Sequence, residues 1–262
     1  LYTQGQFLEG KHALITGAAQ GNGKAIAIEL ARLGCGLSLI DIQRDKLAAV
    51  VREIEAQDIR VRGRTADCCA VEALPGLVDG LVADAGPIDI LVNNAGIIRL
   101  SAFPDVPAEE YDTIMNLNAR AAYFMMQSVA PHMPEGGRIV NISSVSGIDG
   151  RTLSPPYAAS KAALITMTKT VARAMAGRRI TVNAIAPGMI DTPFHQPLDR
   201  KLGVEQAGLQ PGEFIRERAK DIPLGRMGRA DEVSASVAFL VSPGADYITG
   251  ETLIISGGWM ID

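Results

Sequence analysis

Short apolar runs alternate with helix-forming runs along almost the entire chain. This alternation narrows the possible folds more than any single motif. Residues 12–16 are short and apolar, and residues 24–33 then place Ile26, Ala27, Leu30 and Leu33 at helical spacing. The pair repeats with an apolar run at 36–40 and a helix-like stretch at 44–56. A third strand is predicted at 59–64, a helix at 71–85 and a buried strand at 88–92. Later strands are predicted at 138–142, 180–185 and 252–255, with helices near 111–133, 157–176 and 230–241. Strands joined through helices must run parallel, and the helices then cover both faces of the sheet. The expected fold class is α/β, a single doubly wound parallel sheet, with one domain over residues 1–262. No repeat or low-complexity segment interrupts it. The long irregular stretch at 187–223, rich in Pro, Gly and charge, is expected to be a mobile lid.

Thr16-Gly17-Ala18-Ala19-Gln20-Gly21-Asn22-Gly23 joins the first strand to the first helix. Glycines there permit a tight turn and close backbone approach to a pyrophosphate, and the helix N-terminus offers free N–H groups with a partial positive charge. Asp41 ends the next strand, where an acid bonds both hydroxyls of a ribose and repels a 2′-phosphate. Ile42 and Gln20 bring no positive charge to that place. The reading is a dinucleotide site with NAD favoured over NADP. Asp41 also suits a helix N-cap for the run at 44–56, and the two roles are compatible.

Tyr157 and Lys161 stand at i and i+4 in a good helix former. A free tyrosine titrates near pH ~10. A neighbouring ammonium stabilises the phenolate and lowers that value, which suits a general acid/base.

These motifs, taken in order, resemble the short-chain dehydrogenase/reductase family over roughly residues 8–262. The glycine turn matches the family's cofactor turn, although Asn22 stands where an aliphatic residue is usual. Asp67 matches the acid set against the adenine ring, and Asn93-Asn94-Ala95-Gly96 the turn after the fourth strand. Asn118 matches the catalytic asparagine, with Asn116 a competitor, and Ser144 the catalytic serine, with Ser143 the runner-up. Tyr157 and Lys161 match the catalytic pair. Pro187-Gly188 and Thr192 match the segment that holds the nicotinamide carboxamide. The resemblance implies a Rossmann-type fold, with a cofactor half at about 8–145 and the catalytic helix and lid at about 146–225. It implies a catalytic set of Asn118, Ser144, Tyr157 and Lys161. The implied cofactor contacts are Gly17, Gln20, Gly21, Asn22, Gly23, Asp41, Asp67, Asn94, Gly96, Tyr157, Lys161, Pro187, Gly188 and Thr192. It further implies hydride transfer between NAD and a secondary alcohol or ketone, and a homotetramer.

Composition excludes other classes. Twenty-five basic and 29 acidic residues give a net charge of −4, and no basic tract offers a nucleic-acid footprint. No apolar run approaches a membrane span of ~18 residues. Residues 1–10 lack the regions of a signal peptide. With Cys35, Cys68 and Cys69 showing no ligand spacing, the expected location is the cytoplasm. His12, His132 and His195 are scattered, so no metal is expected.

The substrate is expected to be a small polyol, sugar or sugar acid, because the residues from 191 onward carry many charges and few aromatics. Ser144, Tyr157, Arg99, Arg151 and His195 are the candidate substrate contacts. The similarity of the stretches at 223–230 and 245–248 to bacterial polyol dehydrogenases leans the same way, toward carbohydrate metabolism. The alternatives are a 3-oxoacyl carrier-protein reductase of the same family and a non-catalytic NAD-sensing regulator.

Overall fold

The computed structural model describes residues 5–150 and 152–260. Seven strands form one parallel sheet: β1 (His12–Thr16), β2 (Gly36–Asp41), β3 (Val61–Thr65), β4 (Ile90–Asn93), β5 (Arg138–Ile142), β6 (Thr181–Pro187) and β7 (Thr252–Ile255). Their order is β3-β2-β1-β4-β5-β6-β7. From β1 the chain winds outward to β3, then returns to the centre at β4 and winds the other way. The order therefore reverses between β1 and β4, where Ile15 pairs with Val92. Ligands of open α/β sheets bind in the crevice at the carboxyl ends of such a pair.

The alternation of side chains along each strand splits the core in two. Ile15 packs with α1 (Gly21–Arg32) and α2 (Arg44–Glu55), while its neighbour Leu14 packs on the other face with α3 (Leu74–Ala85). Both side chains are 0% exposed, each worth roughly 1.5–3 kcal/mol on burial. The expected doubly wound sheet with helices on both faces is present.

Two stretches differ from their sequence-based expectation. The helix expected at 111–133 is composite: α4 (Ala108–Met115), a π-helix at Asn116–Ala121, then α5 (Ala122–Val129). Wide π turns occur mainly at functional positions. Here the Asn118 side chain is committed elsewhere, accepting from the Ile97 N–H at 2.9 Å and donating to the Ile97 carbonyl at 2.9 Å.

The segment expected to be irregular at 187–223 is largely helical. After α6 (Ser146–Asp149), α7 (Pro155–Met175) and β6, it holds a 3₁₀ turn at Pro193–His195, α8 (Gln196–Leu198), a π-helix at Asp199–Gln206 and α9 (Glu213–Ala219). Asp199 explains part of the order. Its carboxylate accepts from Gly212 N–H at 2.6 Å and Ile215 N–H at 3.4 Å, capping α9 from a distant point in the sequence. Last, α10 (Ala230–Leu240) packs on α1 through Val233 and Val237, both fully buried.

Candidate active site

The turn after β1 and the turn after β4 are bonded to each other. Asn94 Nδ2 donates to the carbonyls of Thr16 (3.0 Å) and Gly17 (2.9 Å), while Thr16 Oγ1 accepts from Asn94 N–H and Ala95 N–H at 3.1 Å. Gly17 has φ +66, and a Cβ there would lie 2.8 Å from Ala95 Cα. A Cβ on Gly23 would lie 2.1 Å from the Gly17 carbonyl oxygen. Both positions admit glycine alone. The contact brings the N-terminus of α1 against the crevice, and no side chain caps its first turn. Those unbonded N–H groups suit an anion.

Asp41 is 8% exposed and lines the crevice. One carboxylate oxygen accepts from Ala19 N–H (3.0 Å), in the glycine turn, and the other from Gln43 N–H (2.9 Å), at the start of α2. The N-cap of α2 is Gln43 rather than Asp41, so the capping role read from sequence is not taken up. Asp41 instead turns the chain into the helix by holding the Gln43 N–H, and it keeps its position in the crevice. Lys46 reaches over the same turn, its ammonium 2.8 Å from Gln20 Oε1. Asp67 lines the wall beyond, its carboxylate accepting from Cys69 N–H at 2.8 Å.

Tyr157 and Lys161 project from α7 into the same crevice, and a set of bonds fixes that helix on β5. Lys161 Nζ donates to the Ile142 carbonyl at 2.8 Å, and Ser143 Oγ donates to the Lys161 carbonyl at 2.8 Å. Deeper in, Asn93 Nδ2 donates to Asn141 Oδ1, and Asn141 Nδ2 to Thr168 Oγ1, each at 2.9 Å. A fully bonded buried network of this kind sets one register of helix on sheet. Gly147 closes the remaining gap: a Cβ there would lie 2.6 Å from the Lys161 carbonyl carbon.

The two serines thus separate by role. Ser143 is used in holding α7, while Ser144 accepts from Ser146 N–H (3.1 Å) and hydrogen-bonds Tyr157. The two asparagines separate as well. Asn116 is exposed, whereas Asn118 is 1% exposed and donates to Ser160 Oγ (3.1 Å), one layer behind the crevice wall.

Electrostatics correct one expectation. Burial pushes the Tyr157 phenol up to about 12, with the Ser144 hydrogen bond opposing. Burial also brings Lys161 down to about 8. The ammonium lies 5.8 Å from the Tyr157 ring centroid and is bonded to a carbonyl. Desolvation outweighs mutual attraction here, and both groups are driven toward neutrality.

The crevice opens into a cavity of about 860 Å³. Of the expected cofactor residues, all but Gly23 line it; Gly23 lies behind the turn it tightens. His195 lines it too. Arg99 is exposed, outside the cavity, and bonds its neighbour's carbonyl. Arg151 lies outside the described residues.

Several charges from 191 onward are used away from the cavity: Asp199 caps α9, Lys201 bonds the Leu100 carbonyl, and Arg200 pairs with Glu205 at 3.5 Å, while Arg218 lines it. The cavity side of this segment presents Phe194, Leu198, Leu202 and Phe214. The polar cover expected from composition is therefore a mixed one, with these apolar side chains beside His195, Gln206 and Arg218. Ser154, Arg218 and Trp259 also line the cavity and carry no sequence signal of it, since each stands outside any motif. Among the described residues no cluster of His, Cys, Asp and Glu could hold a metal.

Residues 17–260 match a family model described as enoyl-(acyl carrier protein) reductase. A 3-oxoacyl-(acyl-carrier-protein) reductase FabG of Thermotoga maritima is 40% identical over 97% of this chain and 99% of its own. A 2-dehydro-3-deoxy-D-gluconate 5-dehydrogenase of Escherichia coli is 36% identical over 97% and 96%. Among solved structures, a short chain dehydrogenase from Burkholderia cenocepacia in complex with NADP superimposes with a TM-score of 0.86 at 36% identity, covering 97% of this chain and 99% of that one. The chain belongs to the short-chain dehydrogenase/reductase family and is an oxidoreductase of that family.

Proposed function

We propose that the protein oxidises a secondary alcohol of a small hydroxylated substrate, or reduces the matching ketone, with NAD as its partner. The observation that carries this reading is the meeting of Ser144, Tyr157 and Lys161 with the glycine turn in one cavity. The orphaned Asn22 Oδ1, buried at that turn, fits a bound molecule that brings a donor. Gly17, Gly21 and the start of α1 would hold the pyrophosphate, Asp41 the adenosine ribose, Asp67 the adenine, and Gly188 with Thr192 the nicotinamide end. A bound NAD supplies the hydride acceptor. Tyr157 takes the hydroxyl proton as hydride leaves the carbon, and Ser144 bonds the same oxygen and orients it. Lys161 holds the nicotinamide ribose and passes protons toward a water at Asn118. The segment from 191 to 222 closes over the cavity.

The polyol or sugar-acid substrate has support from the gluconate-type relative and from a sorbitol dehydrogenase of Cereibacter sphaeroides, 37% identical. The apolar cavity face of Phe194, Leu198, Leu202 and Phe214 favours a second reading, reduction of a 3-oxoacyl thioester. Lys46 beside Gln20 would serve the NADPH that such a reductase takes. One kinetic comparison decides between them: polyols and sugar acids with NAD⁺ and NADP⁺, against acetoacetyl thioesters with NADH and NADPH. We expect NAD⁺ to exceed NADP⁺ by at least about tenfold, the effect of ~1.4 kcal/mol from a phosphate beside the Asp41 carboxylate. Asp41→Ala should narrow the gap. Equal efficiency with NADP⁺, or turnover confined to thioesters, would favour the second reading.

We also propose a homotetramer acting in the cytoplasm in carbohydrate metabolism. Tyr111 and Tyr123 are exposed on α4 and α5, as are Leu253 and Ile254 on β7, and such faces suit closed symmetric assembly. Light scattering showing a monomer at micromolar concentration would remove the assembly.

A further inference from the structure

Two polar atoms in the cavity are buried without a hydrogen-bond partner and have no place in the dinucleotide site: Ser154 Oγ and His195 Nδ1. Buried polar groups in folded proteins are nearly always paired, so an orphan facing a cavity marks a place where a ligand atom belongs.

Ser154 is 2% exposed and occupies the N-cap position of α7. A serine there normally turns its hydroxyl onto first-turn N–H groups. This one makes no capping bond, and the next two residues, Pro155 and Pro156, have no N–H to cap. The helix start does not use the hydroxyl, which is left unpaired in the cavity wall one turn before Tyr157.

His195 ends the 3₁₀ turn after Thr192. Its ring meets Phe194 edge-on at 5.7 Å, and the Phe194 ring lies 5.8 Å from that of Tyr157. Burial lowers the imidazole pKa, opposed by a hydrogen bond of the ring to the Ile190 backbone and by the Asp191 charge, and Nδ1 is the ring atom left unpaired. A neutral imidazole offers one donor and one acceptor. Ile98, Leu100, Leu198, Leu202 and Phe214 line the same cavity, together with Gln206 and Arg218. Of the polar side chains that line the cavity outside the catalytic set and the dinucleotide turn, Ser154 and His195 are the two with a buried, unpaired atom.

We propose that Ser154 and His195 form a subsite for a second oxygen of the substrate, carried on a carbon close to the one oxidised, so that the enzyme selects vicinal diols over plain alcohols. The inference rests on the dehydrogenase reading above and narrows its substrate. A monoalcohol leaves both polar atoms desolvated and unpaired, the situation in which discrimination is largest.

The experiment measures kcat/KM for matched pairs that differ by one hydroxyl: butan-2-ol against butane-2,3-diol, and cyclohexanol against trans-cyclohexane-1,2-diol. Each is run with NAD⁺ and with NADP⁺, in the wild type and in Ser154→Ala, Ser154→Thr, His195→Phe and His195→Asn. Calorimetry follows dinucleotide binding in the same preparations. The wild type should favour each diol by about 30-fold or more, and Ser154→Ala and His195→Phe should each cut that preference about tenfold. Ser154→Thr and His195→Asn keep a polar atom and should recover part of it. The wild-type preference is read without any variant, so a misfolded variant does not blunt the test. Equal use of diol and monoalcohol by the wild type overturns the inference and leaves the dehydrogenase reading standing. So does a preference that survives both Ser154→Ala and His195→Phe. A wild type that oxidises polyols or sugar acids but neither diol overturns the subsite alone. One that binds dinucleotide yet oxidises none of these alcohols, polyols or sugar acids fails the dehydrogenase reading itself, and the subsite falls with it.

Discussion

Tyr157→Phe is expected to lower alcohol oxidation by about 10³-fold while leaving dinucleotide binding near its wild-type value. The ring keeps its packing against Phe194, and only the oxygen bonded to Ser144 is removed. The pH profile supplies a second readout. Burial raises the phenol to about 12, so at neutral pH it is almost wholly protonated. Oxidation needs the phenolate, whose fraction grows tenfold per pH unit below that value. The wild-type rate should therefore climb with pH from 6 upward. Lys161, brought down to about 8 by burial, loses its charge as the pH passes that value, and the climb should flatten there. The two groups share one site, so the apparent values belong to the pair. Reduction draws on the neutral phenol and should show no such climb. A wild-type oxidation rate that stays flat from pH 6 to 9, or a Tyr157→Phe variant that keeps half its rate, would remove Tyr157 from proton transfer.

Gly147→Ala should be nearly as damaging, although Gly147 touches no reacting atom. Its added Cβ would lie 2.6, 2.7 and 2.9 Å from the Lys161 carbonyl carbon, the Ala162 nitrogen and the Lys161 oxygen. These are backbone atoms in the middle of α7, and they cannot swing aside as a side-chain end would. Either α6 or α7 must shift, and each carries part of the site: Ser144 precedes α6, and Tyr157 lies on α7. A displacement of about 1 Å at a reacting geometry costs on the order of 10²-fold in rate. Overpacking should cost a further ~1–3 kcal/mol of stability. Steady-state kinetics beside thermal unfolding checks both. A variant with wild-type kcat and an unchanged melting temperature would show that α6 and α7 are free to move relative to each other.

The glycine turn illustrates what a one-dimensional reading does well. Gly17, Gly21 and Gly23 stand between a short apolar run and a helical one, and backbone sterics leave few other uses for three glycines there. The strands were legible for a similar reason. β1, β5 and β7 fall at the residues read from hydrophobic runs. For β1 and β5 the reason is that a buried parallel strand must be apolar on both faces, whereas β7 is an edge strand that leaves Leu253 and Ile254 exposed. The i, i+4 spacing of Tyr157 and Lys161 likewise needs only a helix to place both on one side.

Other parts of the site depend on partners far away in the chain. The helical order of the segment after β6 rests on Asp199 reaching Gly212 and Ile215, and composition records only that the segment is charged and glycine-rich. The apolar face it turns to the cavity was hidden for the same reason, since composition does not say which way Lys201 points. Ser143 and Ser144 are adjacent and chemically identical. They part only because one hydroxyl faces the Lys161 carbonyl and the other faces Tyr157. Ser154 reads as an ordinary helix cap until the fold leaves its hydroxyl unpaired.

The sequence by itself determined the doubly wound sheet, the dinucleotide turn and the Tyr–Lys pair, since each follows from local spacing and the sterics of a few neighbouring residues. The tertiary structure alone decided which serine faces Tyr157, how far burial shifts Tyr157 and Lys161, and what chemistry the cavity wall presents. Those depend on desolvation and on contacts between residues distant in the chain, and neither quantity exists until the chain has folded.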